Sequence, residues 1–284
     1  MNVVFVVLHY CQIDVTLNCI NSLLRLRGGA KVVVVDNASP DGSGKLLNEQ
    51  FHGSDYVYVI LNKENLGFAT ANNKGYLYAK KKLNADVIAV LNNDTVIDDL
   101  DFVEKLLSLP LIHRYHIIAP DIVNKDGKHQ NPFFLHPMPF KEICRNYNSL
   151  GLLKILYSLP LIGDIKANNS ISYKEKETIE YDKEQEMIVP HGAAIVYTPL
   201  WVNNEDFAFY PGTFMYVEEI ILYYYVMAHK YKTVYTPTLG VYHIEDISTN
   251  TRFNNKRKKA LFQIKHMRES YRILIDFIKK NRLY

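Results

Sequence analysis

Two patterns alternate along the first hundred residues. Val3–Leu8, Lys31–Val35, Tyr56–Leu61 and Val87–Leu91 are short, mostly apolar and β-branched runs, as expected of strands buried on both faces. Between them, apolar residues recur at helical spacing. Val15, Leu17, Ile20, Leu23, Leu24 and Leu26 do so before Gly28-Gly29 stops the helix. A second helix runs through Leu46 and Leu47, and a third is predicted over Phe68–Lys82 with Ala69, Ala71, Tyr76, Leu77 and Ala79 on its apolar face. This alternation predicts an α/β fold with a mostly parallel, Rossmann-like central sheet, right-handed crossovers and flanking helices.

Beyond residue 110 the pattern loosens. His116–Pro120 reads as a strand, Pro132–Pro139 as loop and Lys141–Ser158 as helix, within a variable segment 110–185 placed as an acceptor-side insert. From 186 the pattern tightens again. His191-Gly192-Ala-Ala-Ile-Val-Tyr turns into a strand, and Glu218-Glu219 precedes a strongly apolar helix. Thr233–Thr236 and Gly240–Tyr242 read as two short strands, the second running into His243-Ile-Glu245-Asp246. The division expected is one domain over 1–250, its nucleotide-binding half at 1–100 and its acid-pair half at 186–250, followed by a C-terminal amphipathic helix over 251–284. In that helix Ala260, Ile264, Met267, Tyr271, Leu274 and Ile278 recur at steps of four and three, forming one apolar stripe. Such a stripe can pack on the domain, mediate a homodimer or lie on an anionic bilayer; the last is the reading favoured here.

Each of the first four strands ends in polar residues: His9/Tyr10, Asp36/Asn37, Asn62/Asn65 and Asn92-Asn93-Asp94. In open α/β sheets ligands bind at this carboxyl edge, so four polar ends converging on one rim predict a ligand site. Neither GxGxxG after the first strand nor GxxxxGK[ST] occurs, which argues against a dinucleotide site or a Walker-type phosphate loop. Asp36 is placed to accept hydrogen bonds from a ribose or base. Asn65, Gly67, Asn72 and Asn73 set amides and small residues around a helix N-terminus, which favours anionic groups. Asp94 can hold a divalent cation that in turn holds a diphosphate. The same residues also have ordinary structural uses, as turn formers, caps and first-turn acids. Glu218 and Glu219 form a like-charge pair whose mutual repulsion raises one pKa, which suits a general base. His243 is a candidate metal ligand at a strand end.

Charge and cysteine content refine this picture. Net charge is +3, but residues 252–284 hold 11 basic against 2 acidic residues, while the remainder holds 22 basic against 28 acidic. A mildly acidic body with a basic tail suits an anionic surface, and no nucleic-acid recognition motif is present. Three cysteines without metal or CxxC spacing suit a reducing compartment, and the N-terminal apolar run reads as a first strand and not a signal peptide. The expected location is cytoplasmic, peripheral to the inner face of the plasma membrane.

The stretches Val6-Val-Leu-His-Tyr10, Val33-Val-Val-Asp36-Asn37-Ala-Ser39, Glu64-Asn-Leu-Gly-Phe-Ala-Thr-Ala-Asn-Asn-Lys-Gly75 and Leu91-Asn-Asn-Asp-Thr95 together resemble the family 2 glycosyltransferases. The likeness is to the rhamnosyltransferase-like branch that builds bacterial surface polysaccharides. His191–Tyr197, Phe214–Glu219 and Val241–His243 extend it more thinly. The resemblance implies the GT-A nucleotide-diphospho-sugar transferase fold and an inverting transfer from a UDP- or dTDP-sugar, dTDP-rhamnose among them, to a hydroxyl of a glycan or lipid-linked oligosaccharide. It implies Asp36 on the nucleoside, Asn92-Asn93-Asp94 as the DxD-like motif with Asp94 on Mg²⁺ or Mn²⁺, Glu219 as the base and His243 on the metal. This chain departs from the family pattern in three places: the acid pair is Glu-Glu, Val217 stands where a glycine is usual, and no Gly-Gly-Phe-Asp stretch precedes it. Glu218 therefore stays open as the base. A sugar-1-phosphate nucleotidyltransferase or a non-catalytic sugar-nucleotide or partner-binding module are the alternatives.

Overall fold

The computed structural model describes residues 1–158, 178–244 and 255–284. Part of the predicted insert (159–177) and the acids Glu245 and Asp246 lie outside the described residues. The first half follows the expected alternation: β1 (Val3–His9), α1 (Ile13–Leu24), β2 (Lys31–Asp36), α2 (Ser43–Gln50), β3 (Val57–Leu61), α3 (Phe68–Lys82) and β4 (Val87–Asn92). These four strands are parallel in the order β3-β2-β1-β4. His9 pairs with Asp36 and Leu8 with Asn92, so the polar strand ends finish within a residue of one another. That shared register is what turns scattered polar ends into a rim.

The second half completes a mixed sheet. It comprises β5 (Thr95–Val96), α4 (Phe102–Ser108), β6 (Ile117–Asn124), α5 (Phe140–Ser158), β7 (Gln185–Glu186), β8 (Ala194–Tyr197), α6 (Pro199–Val202), α7 (Glu218–Ala228), β9 (Thr233–His243) and α8 (Lys256–Asn281). The order continues β4-β8-β6-β9-β5, with β8 antiparallel to both neighbours and β6 parallel to β9. The two short strands expected at 233–236 and 240–242 are one strand, β9. Its pairing shifts register between Pro120/Asp121, so that Pro120 faces Thr236 and Asp121 faces Gly240. Pro237, which has no N–H to donate, falls in the skipped stretch, and the strand resumes beyond it.

Alternation along the strands divides the core. Phe5, Val7, Val32, Val34, Ala89 and Leu91 face α1 and α4 through Ile20, Leu23, Phe102 and Leu106. Val4, Val6, Val33, Val35, Ile88 and Val90 face α3 and α7. The small residues of α3 serve this packing. A Cβ on Gly75 would meet Val6 Cγ1 at 2.4 Å, so glycine there lets the helix lie down on the sheet. The sequence places these small residues at a helix N-terminus suited to an anionic ligand. Ala69 and Ala71 are instead buried with Gly75's neighbours in the helix–sheet interface.

A third cluster joins α5, α7 and α8, and it settles where the C-terminal stripe goes. Ala260, Ile264, Met267, Tyr271, Leu274 and Ile278 are all buried, against Ile143, Leu150 and Tyr157 of α5 and Ile220, Ile221 and Tyr224 of α7. The expectation that this stripe meets a bilayer or a second copy is thereby corrected: the protein's own helices already cover it. Each Ile, Leu or Met among them removed from water contributes roughly 1.5–3 kcal/mol, which ties α8 firmly to the body. Among the described residues, no helix is long and apolar enough to cross a membrane.

Candidate active site

The loops after β1, β2 and β3 are stitched together at the rim by short side chains. His9 is fully buried, with Nδ1 2.7 Å from Thr16 Oγ1 and Nε2 2.8 Å from Ser43 Oγ. Both ring nitrogens are engaged inside the protein, and burial lowers its pKa. His9 therefore braces the rim from beneath, while Tyr10 lines the cavity above it. Asp36 also turns inward. It accepts from Ser39 N at 3.2 Å and Ser39 Oγ at 2.5 Å, and its carboxylate occupies the space a Cβ on Gly44 would need. The residue that lines the cavity is its neighbour, Asn37. Asn37 Nδ2 donates to Gly67 O and Asn65 Oδ1, and Asn37 Oδ1 accepts from Leu66 N and Asn62 Nδ2. One amide thus joins the loops after β2 and β3.

Gly67 is required by geometry. Its φ is 78°, and a Cβ there would sit 2.2 Å from Phe214 O, which accepts from Phe68 N at 2.6 Å. Gly67 and Asn65 line the cavity; Asn72 and Asn73 do not. Asn73 pins the 208–209 loop, accepting from Ala208 N and Phe209 N and donating to Phe209 O. Asn72 donates to Phe68 O, and its Oδ1 is buried without a partner.

Above these residues lies an open cavity of ≈ 900 Å³. Its floor is Asn92, Asn93 and Asp94 with the strand-end amides, and its far wall is Met215, Tyr216 and, from α8, Lys259, Phe262 and Gln263. Asp94 and Lys259 are the charged side chains in this lining. The antiparallel pairing of Thr95 with His243 holds Asp94 beside β9. There Asp94 Oδ1 lies 3.2 Å from His243 Nε2, yet this buried oxygen has no hydrogen-bond partner. His243 Nδ1 is 2.7 Å from Gln130 Oε1, an acceptor, which leaves Nε2 as the nitrogen with the free lone pair. An orphaned carboxylate oxygen beside an imidazole lone pair fits two ligands of one hard cation. Donors each ~2.1 Å from an ion and at right angles lie about 3 Å apart. Among the described residues, no three His, Cys, Asp or Glu side chains gather as a metal site.

A second cavity, ≈ 720 Å³, adjoins the first and shares Phe68, Asn92, Met215 and Tyr216 with it. Glu218, Glu219 and His191 line it. Tyr216 and Val217 both take left-handed backbone, with φ of 76° and 70°, to swing the chain into α7. That is the physical need behind the glycine usual at position 217. Glu218 is buried, its Oε1 lacks a partner, and burial, reinforced by the charge of Glu219, pushes its pKa up to about 8. Glu219 is less enclosed. Burial raises its pKa, and the Gly192 N–H opposes that rise. Its Oε1 lies 2.5 Å from where a Cβ on Gly192 would stand, so glycine is what admits the carboxylate.

His191 joins the acid pair in the lining of this second cavity, a role that residue type and spacing alone do not single out. Its Nδ1 accepts from Ala193 N at 3.1 Å, which puts the proton of the neutral ring on Nε2. Burial, with the adjacent His243 next in effect, lowers its pKa to about 4, so near neutrality the ring is an uncharged donor. Its contacts with Phe133 and His243 fix the ring plane. The signal that could have found it is its place directly before Gly192, in a turn facing the acid pair.

Residues 4–163 match the model of the family "Glycosyl transferase family 2", more than half of the chain. The chain belongs to family 2 of the glycosyltransferases. The fold agrees with solved glycosyltransferase structures. S. aureus TarS 1–349 in complex with UDP-GlcNAc superposes with a TM-score of 0.55 at 13% identity, covering 87% of this chain and 60% of that one. GalNAc-T7 with UDP, GalNAc and Mn²⁺ gives 0.56 at 14% identity, covering 87% and 44%. The chain spans less than two thirds of either neighbour, and at such identity the likeness extends to the GT-A fold alone. No curated protein sequence matches the chain.

Proposed function

We propose that this family 2 glycosyltransferase moves a sugar, with inversion, from a nucleotide-diphospho-sugar to a hydroxyl of a glycan or lipid-linked oligosaccharide in surface polysaccharide synthesis. UDP- and dTDP-sugars are the donors to try first, dTDP-rhamnose among them. The observation that carries this reading is the pairing of two unlike cavities across one shared wall. On one side stands a carboxylate–imidazole pair suited to a cation; on the other stand two carboxyl groups of raised pKa. In-line displacement needs that separation of leaving group from nucleophile.

In this reading the first cavity holds the donor, with Asn37, Asn65 and Gly67 around its nucleoside and Asp36 acting through the loop it folds. Asp94 and His243 are the residues that would hold Mg²⁺ or Mn²⁺, whose charge would offset that of the diphosphate. Glu219, the more open acid, accepts the proton of the acceptor hydroxyl. The freed oxygen forms its bond to the anomeric carbon, and the old carbon–oxygen bond breaks with its electron pair leaving on the diphosphate. Glu218 behind it disfavours a second negative charge and so keeps the pair's affinity for a proton high. His191 Nε2–H is a donor to an acceptor oxygen. Both Asp94→Ala and Glu219→Gln should abolish sugar transfer in folded protein, measured by product formation from a panel of UDP- and dTDP-sugars. Full activity in either overturns its assignment. Inversion is read from the anomeric configuration of the product by NMR.

A peripheral place on the cytoplasmic face of the plasma membrane now rests on the outer face of α8. Lys258, Lys265, Arg272 and Lys279 are exposed there at seven-residue steps. Co-sedimentation with anionic liposomes should fall in Lys265→Glu/Arg272→Glu. Unchanged binding ends the membrane proposal.

A further inference from the structure

The apolar stripe of α8 accounts for one face of that helix. A second face, Lys259, Phe262, Gln263 and His266, follows the i, i+3, i+4, i+7 pattern and points elsewhere. His266 stacks on the Phe214 ring at 4.3 Å, and Phe262 meets the same ring edge-on at 6.0 Å. Phe214 in turn is the residue whose carbonyl seats against Gly67 and accepts from Phe68 N. Farther along the helix, Ser270 Oγ donates to Met215 O at 2.9 Å, and Met215 belongs to the wall between the two cavities. The C-terminal helix is therefore fixed to the rim at both Phe214 and Met215.

That attachment brings Lys259 to the first cavity as its cationic side chain, with Asp94 as its anionic one. The charges can be weighed against a nucleotide diphosphate. A divalent cation on Asp94 leaves one positive charge in excess, while a nucleotide-diphospho-sugar carries two negative charges and the freed nucleoside diphosphate carries about one more. Lys259 supplies the second positive charge, and the demand for it grows as the bond to the sugar breaks. We propose that Lys259 of α8 is a donor-binding residue that contacts the diphosphate, so that the C-terminal helix is a working wall of the donor cavity. The proposal rests on the donor reading above.

The test is isothermal titration of the full chain, with Mn²⁺ present, using UDP, dTDP and the corresponding nucleosides. Lys259→Met should weaken binding of the preferred diphosphate about tenfold or more, the loss expected for a charge-assisted contact, with nucleoside binding unchanged. Lys259→Arg should restore affinity to within about threefold, and Lys280→Met, exposed in the last turn of α8, should have no effect. The loss should also be larger for the free diphosphate than for its sugar conjugate. Equal diphosphate affinity in Lys259→Met and the unaltered chain overturns the proposal. So does equal loss of nucleoside and diphosphate, which would make the residue a structural support only. If Lys259→Met unfolds, Lys259→Gln and the salt dependence of diphosphate binding carry the same comparison. If neither UDP nor dTDP binds the unaltered chain while Mn²⁺ is present, the donor reading falls and this proposal with it; a diphosphate that binds regardless of residue 259 defeats only the proposal.

Discussion

The two cavities are neighbours built on opposite electrostatic plans. The first is lined by neutral amides whose hydrogen bonds are largely used up on one another, with a single carboxylate and a single ammonium set among them. The second holds two adjacent carboxyl groups in surroundings that favour their protonated forms. One is suited to holding fixed charge and the other to exchanging a proton. What separates them is a thin wall, Phe68, Asn92, Met215 and Tyr216.

Two glycines provide the sharpest way to break that comparison. Gly67→Ala forces a side chain into left-handed backbone and onto Phe214 O, at a cost on the order of 3 kcal/mol or more. Denaturant melts should register that loss, together with a collapse of nucleotide affinity. Gly192→Ala meets only the Glu219 carboxylate, at 2.5 Å. Its kcat should fall about 10²-fold, the scale of a misplaced general base, while nucleotide affinity by calorimetry stays as it was. An equal loss of nucleotide binding in Gly192→Ala would mean that the cavities are not separable.

The pH dependence of stability gives a smaller and cleaner test. The folded-state pKa of Glu218, about 8, stands above its ordinary value of 4.5, so its contribution to stability is full below about pH 4.5 and is lost as pH rises towards 8. The melting temperature of Glu218→Gln should therefore overtake that of the parent as pH climbs from 5 to 8. Parallel curves would mean that Glu218 is not held in its protonated form. The smallest effect expected is at His191. His191→Phe keeps the ring contacts and loses the Nε2–H donor, so KM for the acceptor should rise about tenfold, the worth of one hydrogen bond, with donor KM unchanged.

Much of the fold could be read from the chain because its signals are local. Continuous β-branched runs gave the four parallel strands, and the helix predicted over Phe68–Lys82 has those bounds. That Asp94 and the acid pair would face cavities, with His243 beside Asp94, was legible because polar residues at strand ends and in first helical turns gather at the rim of the sheet. The misreadings arise where a one-residue step or a distant partner decides. Asp36 and Asn37 are consecutive, and successive residues at a strand end point to opposite sides, so spacing alone could not say which meets the cavity. The stripe on α8 has the same periodicity whether it meets lipid or protein. Only the faces of α5 and α7, brought in from far along the chain, select between them. Asn73 likewise looks like a ligand-facing amide until the 208–209 backbone is seen to occupy it.

The Asn37 amide, tied at once to Asn62, Asn65, Leu66 and Gly67, also makes one side of the cleft stiff. Two connections tied at four points by one side chain cannot swing apart singly, so the strand-end side of the cleft is the braced jaw. The opposing jaw, the stretch around Met215, is held by contacts with α8 through Phe214 and Ser270, so the two sides of the cleft are secured by different parts of the chain.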